Sequence, residues 1–322
     1  MALPSSKKWV VESAAMNGQF DMEDTQPVQV RSTRTEVMPN THVMVVAAEP
    51  RKPRRRRAVF LGILLGLASA IYLFVPIRTN ILLLGIDRSP VGTNLGRSDT
   101  IILTTIVPPQ PYVGMLSIPR DLWVNIPGNG DNRINTAHFF AEAEKTGSGP
   151  AAAVRTAQEN FGVDVNAYVR FNFEGLISVV DALGGVPIEL ETSTGGLSPG
   201  VHELDGESAL AFVRDREGSD DFFRMAHGQI FIKALLRKMS DPRAWPLLPG
   251  AFLSLIRHVD TDLAPWIWPR LLVAVLRSGP GGIDARIISR EMVHGFTTAE
   301  GAQVLAPDWS RINPVLFEMF AQ

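Results

Sequence analysis

Acidic residues and arginines recur in the short polar breaks between apolar runs of this chain. Asp87 and Asp99 flank the start of a strand-like pair. Arg120 follows in SIPRD (117–121), and Arg214 and Arg216 in VRDR (213–216), with Asp221 just beyond. A pair of carboxylates suits a divalent cation, which prefers oxygen ligands. Guanidinium forks suit phosphate oxygens, which they bind two at a time. Arg214 and Arg216 are two apart, so on extended backbone both point to one side and Asp215 to the other. Arg88 and Arg97 are further, less central candidates for phosphate. The competing reading is plain: 214–217 with Asp220 and Asp221 is a solvated charged loop, and Asp99 caps the strand or pairs with Arg97. Asp121 and Asp221 adjoin arginines and are candidate bases for a hydroxyl. The same arginines should lower their pKa and weaken them as bases, which leaves metal-assisted activation as the alternative. No Ser-His-Asp arrangement and no P-loop stands out, since the glycines at 279–282 lack a following Lys-Ser/Thr.

Other parts of the chain place these residues in a setting. Residues 58–77 (AVFLGILLGLASAIYLFVPI) carry no charge and have the length of a membrane span. They follow RKPRRRR (51–57), and basic clusters stay on the cytoplasmic side. The expected topology is a single-pass cell-membrane protein with residues 1–57 in the cytoplasm and the bulk outside. A cleaved signal peptide is the alternative, because Ala68-Ser-Ala70 mimics a cleavage site. Residues 1–57 hold ten Lys/Arg against six Asp/Glu and show no sustained periodicity, as expected of a disordered arm. The basic run can also meet anionic headgroups. The remainder is acidic, which speaks against a nucleic-acid face on the large domain. With no cysteine in the chain, disulfides and thiol nucleophiles are excluded. A membrane-borne, phosphate-bearing substrate follows from the combination.

The elements that must hold these residues read as an alternation of strands and helices over 79–322. Strands are expected at 80–86, 100–107, 112–118, 122–126, 167–171, 186–190 and 285–289. Helices are expected at 151–161, 173–183, 205–212 and 221–239, with two more in the tail at 245–257 and 266–277. Such alternation predicts an α/β fold, a mixed central sheet sandwiched by helices. The Trp-rich tail helices are interrupted by Arg257, His258 and prolines, so packed helices are preferred there over a second membrane span.

The ordered motifs resemble those of the LytR-CpsA-Psr family of cell-envelope proteins. They are LLLGIDR (82–88), RSDTII (97–102), SIPRD (117–121), RINTA (133–137), VDALGGV (180–186), LDGESALAFVRDR (204–216) and DFFR (221–224). The resemblance is firm over about 79–240 and looser in the tail. It implies a single-span anchor and an external α-β-α domain. The implied activity is phosphotransfer of a glycopolymer from a polyprenyl-pyrophosphate carrier to a peptidoglycan sugar hydroxyl, leaving a phosphodiester. It further implies Mg2+ held by Asp87 and Asp99, with Arg120, Arg214, Arg216 and Arg224 as catalytic arginines. The substrate pocket would also include Arg88, Arg97, Asp121, Asp221 and His227. The implied partners are the lipid-linked polymer, peptidoglycan and the bilayer, with no nucleic acid; the older family label of transcriptional attenuator does not suit this topology. The chain departs from the family's D-x-x-R-x-x-R-Q at two places, where His227 and Gly228 replace Arg and Gln. Gln229 lies about 140° around a helix from Arg224 and does not substitute for the missing amide. The departure leaves a second possibility open, a non-catalytic member that binds the carrier lipid or glycan. Apolar residues of 80–86, 100–107, 173–183 and 228–239 are either a prenyl tunnel or ordinary core.

Overall fold

The computed structural model describes residues 54–75, 77–86, 95–108, 110, 112–215 and 221–321. Strand β1 (Thr79–Ile86) runs through the middle of a six-stranded sheet. It is antiparallel to β2 (Ser98–Val107) and parallel to β6 (Ala167–Asn172). Outward from β2 come β3 (Tyr112–Ser117), antiparallel, and β10 (Ile283–Ile287), parallel. Outward from β6 comes β9 (Val259–Thr261), antiparallel. The order is β10-β3-β2-β1-β6-β9, a mixed sheet as expected.

The near-continuous apolar run of β1 has a physical reason: both faces of the sheet are covered. Leu82 and Leu84 join Leu103 and Leu116 on one face, under α3 (Gly149–Phe161) and α9 (Trp309–Phe320). Ile81, Ile102 and Met115 point the other way, towards α8 (Ile267–Ser278) and α6 (Asp221–Ser240). A third apolar cluster joins α4 (Phe173–Ala182), α5 (Gly206–Arg214) and α6 to a separate ladder of β7 (Val186–Leu190) and β8 (Gly200–Leu204). The resulting arrangement is an α-β-α sandwich.

Local signals explain several boundaries. Asn172 and Asp205 cap α4 and α5, their side chains accepting from the Gly175 and Ser208 N–H groups. Gly184 and Gly185, at φ 70° and 92°, stop α4 in the left-handed region. Helix α5 runs through Arg214, and the backbone turns extended only at Asp215 (φ −61°, ψ 138°). The expectation of extended backbone on both sides of Asp215 is corrected at Arg214, because the helix-favouring run ESALAFVR continues to that residue. The expected helix at 245–257 is split into a 3-10 turn, Pro242–Leu247, and α7 (Leu248–His258). The elements not anticipated include β8, β9, β5 (Gly130–Arg133), paired with β4 (Trp123–Ile126), α2 (Thr136–Glu144), the hairpin of β11 (Val293–Thr297) and β12 (Gln303–Pro307), and α9.

Helix α1 spans Arg54–Phe74, so it begins inside the arginine run and ends before Ile77. Its side chains from Ala58 on are almost all exposed. Among the described residues no helix is long and apolar enough to cross a membrane. The C-terminal end of α1 is joined to α8: Tyr72 Oη donates to the Trp266 carbonyl, and Arg270 Nη2 donates to the carbonyls of Val75 and Ile77, 2.7 Å each.

Candidate functional site

The polar candidates converge where β2 begins and β3 ends. Asp99 is the second residue of β2, beside the irregularity where Ile86 pairs with Ser98. Arg120 follows β3 in a turn closed by Leu122 N–H donating to Pro119 O, and its own carbonyl accepts from Asn135 N–H. Asp221 and Arg224 share the first turn of α6, three residues apart and therefore on one face.

Arg120 stands at the centre of three carboxylates. Its Nη1 donates to Asp99 Oδ1 at 3.0 Å, and its Nε lies 3.3 Å from Asp221 Oδ1 and 3.5 Å from Asp121 Oδ2. Burial opposes the charge on Arg120, but Asp221, Asp99 and Asp121 outweigh it and raise its pKa. Arg224, almost fully buried, reaches Asp221 Oδ1 at 2.6 Å and donates from the same Nη2 to the Asp99 carbonyl at 2.7 Å. A closed ring of Asp99, Arg120, Asp221 and Arg224 results.

Asp221 departs from the expected direction. Burial raises its pKa, and the neighbouring Arg224 and Arg120 only partly oppose this, while Asp121 and Asp99 reinforce it. Neither of its buried oxygens makes a well-aligned hydrogen bond. Its desolvation, invisible in the sequence, outweighs the arginines that were expected to dominate.

Beyond Asp99 and Arg224 opens a cavity of about 1020 Å³. Its walls are apolar: Leu83 and Ile102 from the sheet, Leu176 and Val179 from α4, Phe231 and Ile232 from α6. Arg214 also lines it, with its guanidinium 3.9 Å over the Phe173 ring. The stretches that sequence could assign equally to tunnel or core therefore contribute to both. Leu82 and Leu84 pack in the core, whereas Leu83 faces the cavity.

Other candidates fall elsewhere. Arg97 is exposed. His227 is buried against the Phe212 ring (4.7 Å between centroids), its Nε2 2.6 Å from Thr194 Oγ1, and it does not line the cavity. Gly228 does line it, and nothing lies within 4 Å of where its Cβ would stand. Gln229 donates to Ser117 Oγ and Arg286 O, 2.7 Å each, tying α6 to the sheet instead of the ring. Asp87, Arg88 and Arg216 lie outside the described residues.

Sequence reasoning missed Arg133. Its Nε lies 3.2 Å from Asp121 Oδ1 and its Nη2 donates to Gln303 O at 2.8 Å, so it links the ring to β12. The signal was present in the first residue of RINTA. Also missed was the hydrogen-bonded group behind Asp99: His138 Nδ1 lies 2.9 Å from Gly96 O, and its Nε2 lies 3.1 Å from Arg170 Nη1.

The chemistry open to this arrangement is the binding of anionic oxygens at the mouth of a greasy cavity. Of the two carboxylates expected to hold a divalent cation, only Asp99 lies among the described residues. Asp99 is a partly buried carboxylate on the cavity lip, and Mg2+ binds through one or two carboxylates with phosphate oxygens and water. Among the described residues no group of three or more His, Cys, Asp or Glu could hold a metal, so substrate oxygens and water would complete the shell.

Residues 77–267 match the family model described as the LytR_cpsA_psr family. The chain is similar to the polyisoprenyl-teichoic acid–peptidoglycan teichoic acid transferase TagU of Oceanobacillus iheyensis, 45% identical over 142 residues, 43% of each chain. It is 34% identical over 182 residues to the enzyme of the same description, TagT, of Bacillus subtilis, covering 52% of this chain and 54% of that one. The chain spans about half the length of the curated relatives it matches. Among solved structures, Bacillus subtilis TagV matches with a TM-score of 0.62 at 23% identity, over 76% of this chain and 97% of that one. A structure of TagT bound to LIIa-WTA matches with the same score and identity, over 78% and 93%. These structural likenesses establish the α/β fold.

Proposed function

This chain belongs to the LytR-CpsA-Psr family, and we propose from that premise that it moves a glycopolymer from a polyprenyl-pyrophosphate carrier to a peptidoglycan sugar hydroxyl. The observation that carries the reading is the apolar cavity of about 1020 Å³ that ends at Asp99, Arg214 and Arg224. A polyprenyl diphosphate has this polarity: a long apolar tail joined to a dianionic head. The names of TagU and TagT, transferases of lipid-linked teichoic acid to peptidoglycan, support the same substrate class.

Phosphoryl transfer rests on positioning and on neutralising charge. In the proposed reaction the prenyl chain lies along Leu83, Leu176 and Phe231, and the diphosphate meets the ring of Arg120 and Arg224, with Arg214 at the rim. The acceptor hydroxyl oxygen bonds to the phosphorus that carries the polymer. The bridging P–O bond breaks, and polyprenyl phosphate departs with the electron pair. The hydroxyl proton passes to Asp221, whose raised pKa suits a base better than that of a solvated aspartate. Magnesium at Asp87 and Asp99 would supply additional neutralisation of the diphosphate charge. From the sequence we infer that the run 58–77 meets the membrane, with the basic arm in the cytoplasm and the sandwich outside. The support is the uncharged run at 58–77 and the arginines before it.

The test uses the full chain in detergent with a polyprenyl-pyrophosphate-linked oligosaccharide, magnesium and a peptidoglycan glycan acceptor. Formation of the phosphodiester and release of polyprenyl phosphate, both lost in Arg120→Ala, are expected. Carrier binding without turnover would overturn the transferase reading and leave a carrier-binding protein.

A further inference from the structure

A second cavity, of about 420 Å³, lies beside the same ring. Arg120, Asp121, Asp221 and Phe222 form one side of it, and Phe296 and Gln303 of the β11–β12 hairpin stand on the other. It shares no lining residue with the apolar cavity. The two are nevertheless joined through the ring: Asp99 and Arg224 face the first, Arg120 and Asp221 face the second, and the Arg120–Asp99 and Arg224–Asp221 contacts of 3.0 and 2.6 Å connect them. Displacement at phosphorus places the attacking and leaving oxygens roughly in line. If the leaving lipid phosphate belongs to the apolar cavity, the nucleophile must come from the far side of the ring.

We propose that this second cavity is the subsite for the acceptor, a hexopyranose unit of a glycan strand. The proposal rests on the transferase reading above. Its chemistry is that of a sugar, which presents an apolar C–H face and a rim of hydroxyls. Phe296 is 40% exposed, and its ring is braced edge-on by Trp123 at 6.0 Å, which leaves an aromatic surface for the apolar face. The carboxylate of Asp121 and the amide of Gln303 offer partners for hydroxyls. The volume lies within the usual range of small-ligand sites, about 300–1,000 Å³. The hairpin is held at a set distance from the ring, because Leu305 N–H donates to Asp121 O at 3.0 Å and Arg133 joins Asp121 to Gln303 O. Arg133 is thus a positioning residue for the acceptor.

The experiment measures transfer by the full chain in detergent, titrating an uncrosslinked peptidoglycan oligosaccharide at saturating donor and then donor at fixed acceptor. Saturation-transfer NMR with the same oligosaccharide runs alongside. Phe296→Ala is expected to raise the acceptor KM about tenfold, the scale of one aromatic contact, with the donor KM within twofold. Phe296→Tyr should restore the wild-type value, and Gln303→Ala should raise the acceptor KM alone. Unchanged acceptor KM in both alanine variants, or a parallel rise in donor KM, overturns the subsite. Should wild type bind donor but fail to transfer, the transferase reading falls and the NMR decides the subsite separately. Oligosaccharide signal lost in Phe296→Ala supports it, and signal retained or absent from wild type overturns it.

Discussion

Arg224 Nη2 lies 2.6 Å from Asp221 Oδ1, yet the Asp221 carboxyl is harder to ionise than an ordinary aspartate, because burial outweighs the ion pair. A raised carboxyl pKa contributes stability that is complete below the ordinary value of 3.8 and is lost as pH rises through the folded value. At neutral pH the ionised side chain therefore costs stability. Asp221→Asn should keep or raise Tm at pH 7, with the gap to wild type closing towards pH 4, while turnover falls at least about 100-fold. Thermal melts at the two pH values check this. A drop of several degrees at pH 7 would mean the ion pair outweighs desolvation.

Arg120 serves three carboxylates from one planar fork, a geometry that a lysine ammonium does not reproduce. Arg120→Lys should therefore lower kcat by about 10²–10³, close to Arg120→Ala, the scale of losing one preorganised charge contact. Near-normal kcat in Arg120→Lys would reduce the site's requirement to a single positive charge.

Gly228 sits in a helix with open space at its missing Cβ and faces the apolar cavity. Gly228→Ala should stabilise the protein by about 0.8–1 kcal/mol, from helix propensity alone. Gly228→Trp should project a ring into the cavity and weaken polyprenyl-diphosphate binding at least about tenfold, while Tm stays near wild type. Undiminished binding in the tryptophan variant would remove the prenyl chain from this cavity.

His138 is buried among Arg170, Glu142 and Asp260, and burial pushes its pKa below the usual 6.5, with Arg170 adding to the shift. The neutral ring donates from Nδ1 to Gly96 O and accepts at Nε2 from Arg170, which holds the segment leading to Asp99. A depressed pKa contributes stability that is complete above 6.5 and is lost as pH falls through the folded value. Tm should therefore decline below pH 6.5, before the Glu142 window opens. Burial works to raise the Glu142 pKa, but the Gly147 and Gly149 N–H groups and Arg170 hold it below 4.5. In His138→Asn, which keeps a donor for Gly96 without a titrating ring, the slope between pH 6.5 and 5 should flatten. An unchanged slope would move the effect to another group.

The strands were legible because their apolar runs are buried on both faces, and the polar site because its residues recur in ordered motifs. What stayed hidden was spatial. Leu83 and Leu84 are adjacent and chemically alike, and only their opposite directions on β1 divide cavity from core. The hairpin at 293–307 was missed because Gly295, Phe296 and Thr297 are exposed, so no buried face imposes an alternating pattern. Arg133 could be seen as a motif residue, but its partner Gln303 lies 170 residues away. Reading Asp221 from its charged neighbours alone reversed the sign of its shift, because the competing effect is burial.

The splice between α1 and α8 has a mechanical consequence. Arg270 clasps the carbonyls of Val75 and Ile77, and Tyr72 pins the preceding turn to Trp266. Helix α1 and the sandwich are thereby joined as a single lever. A load applied along α1 therefore passes through α8 into β2 and β3, the two strands whose ends carry Asp99 and Arg120.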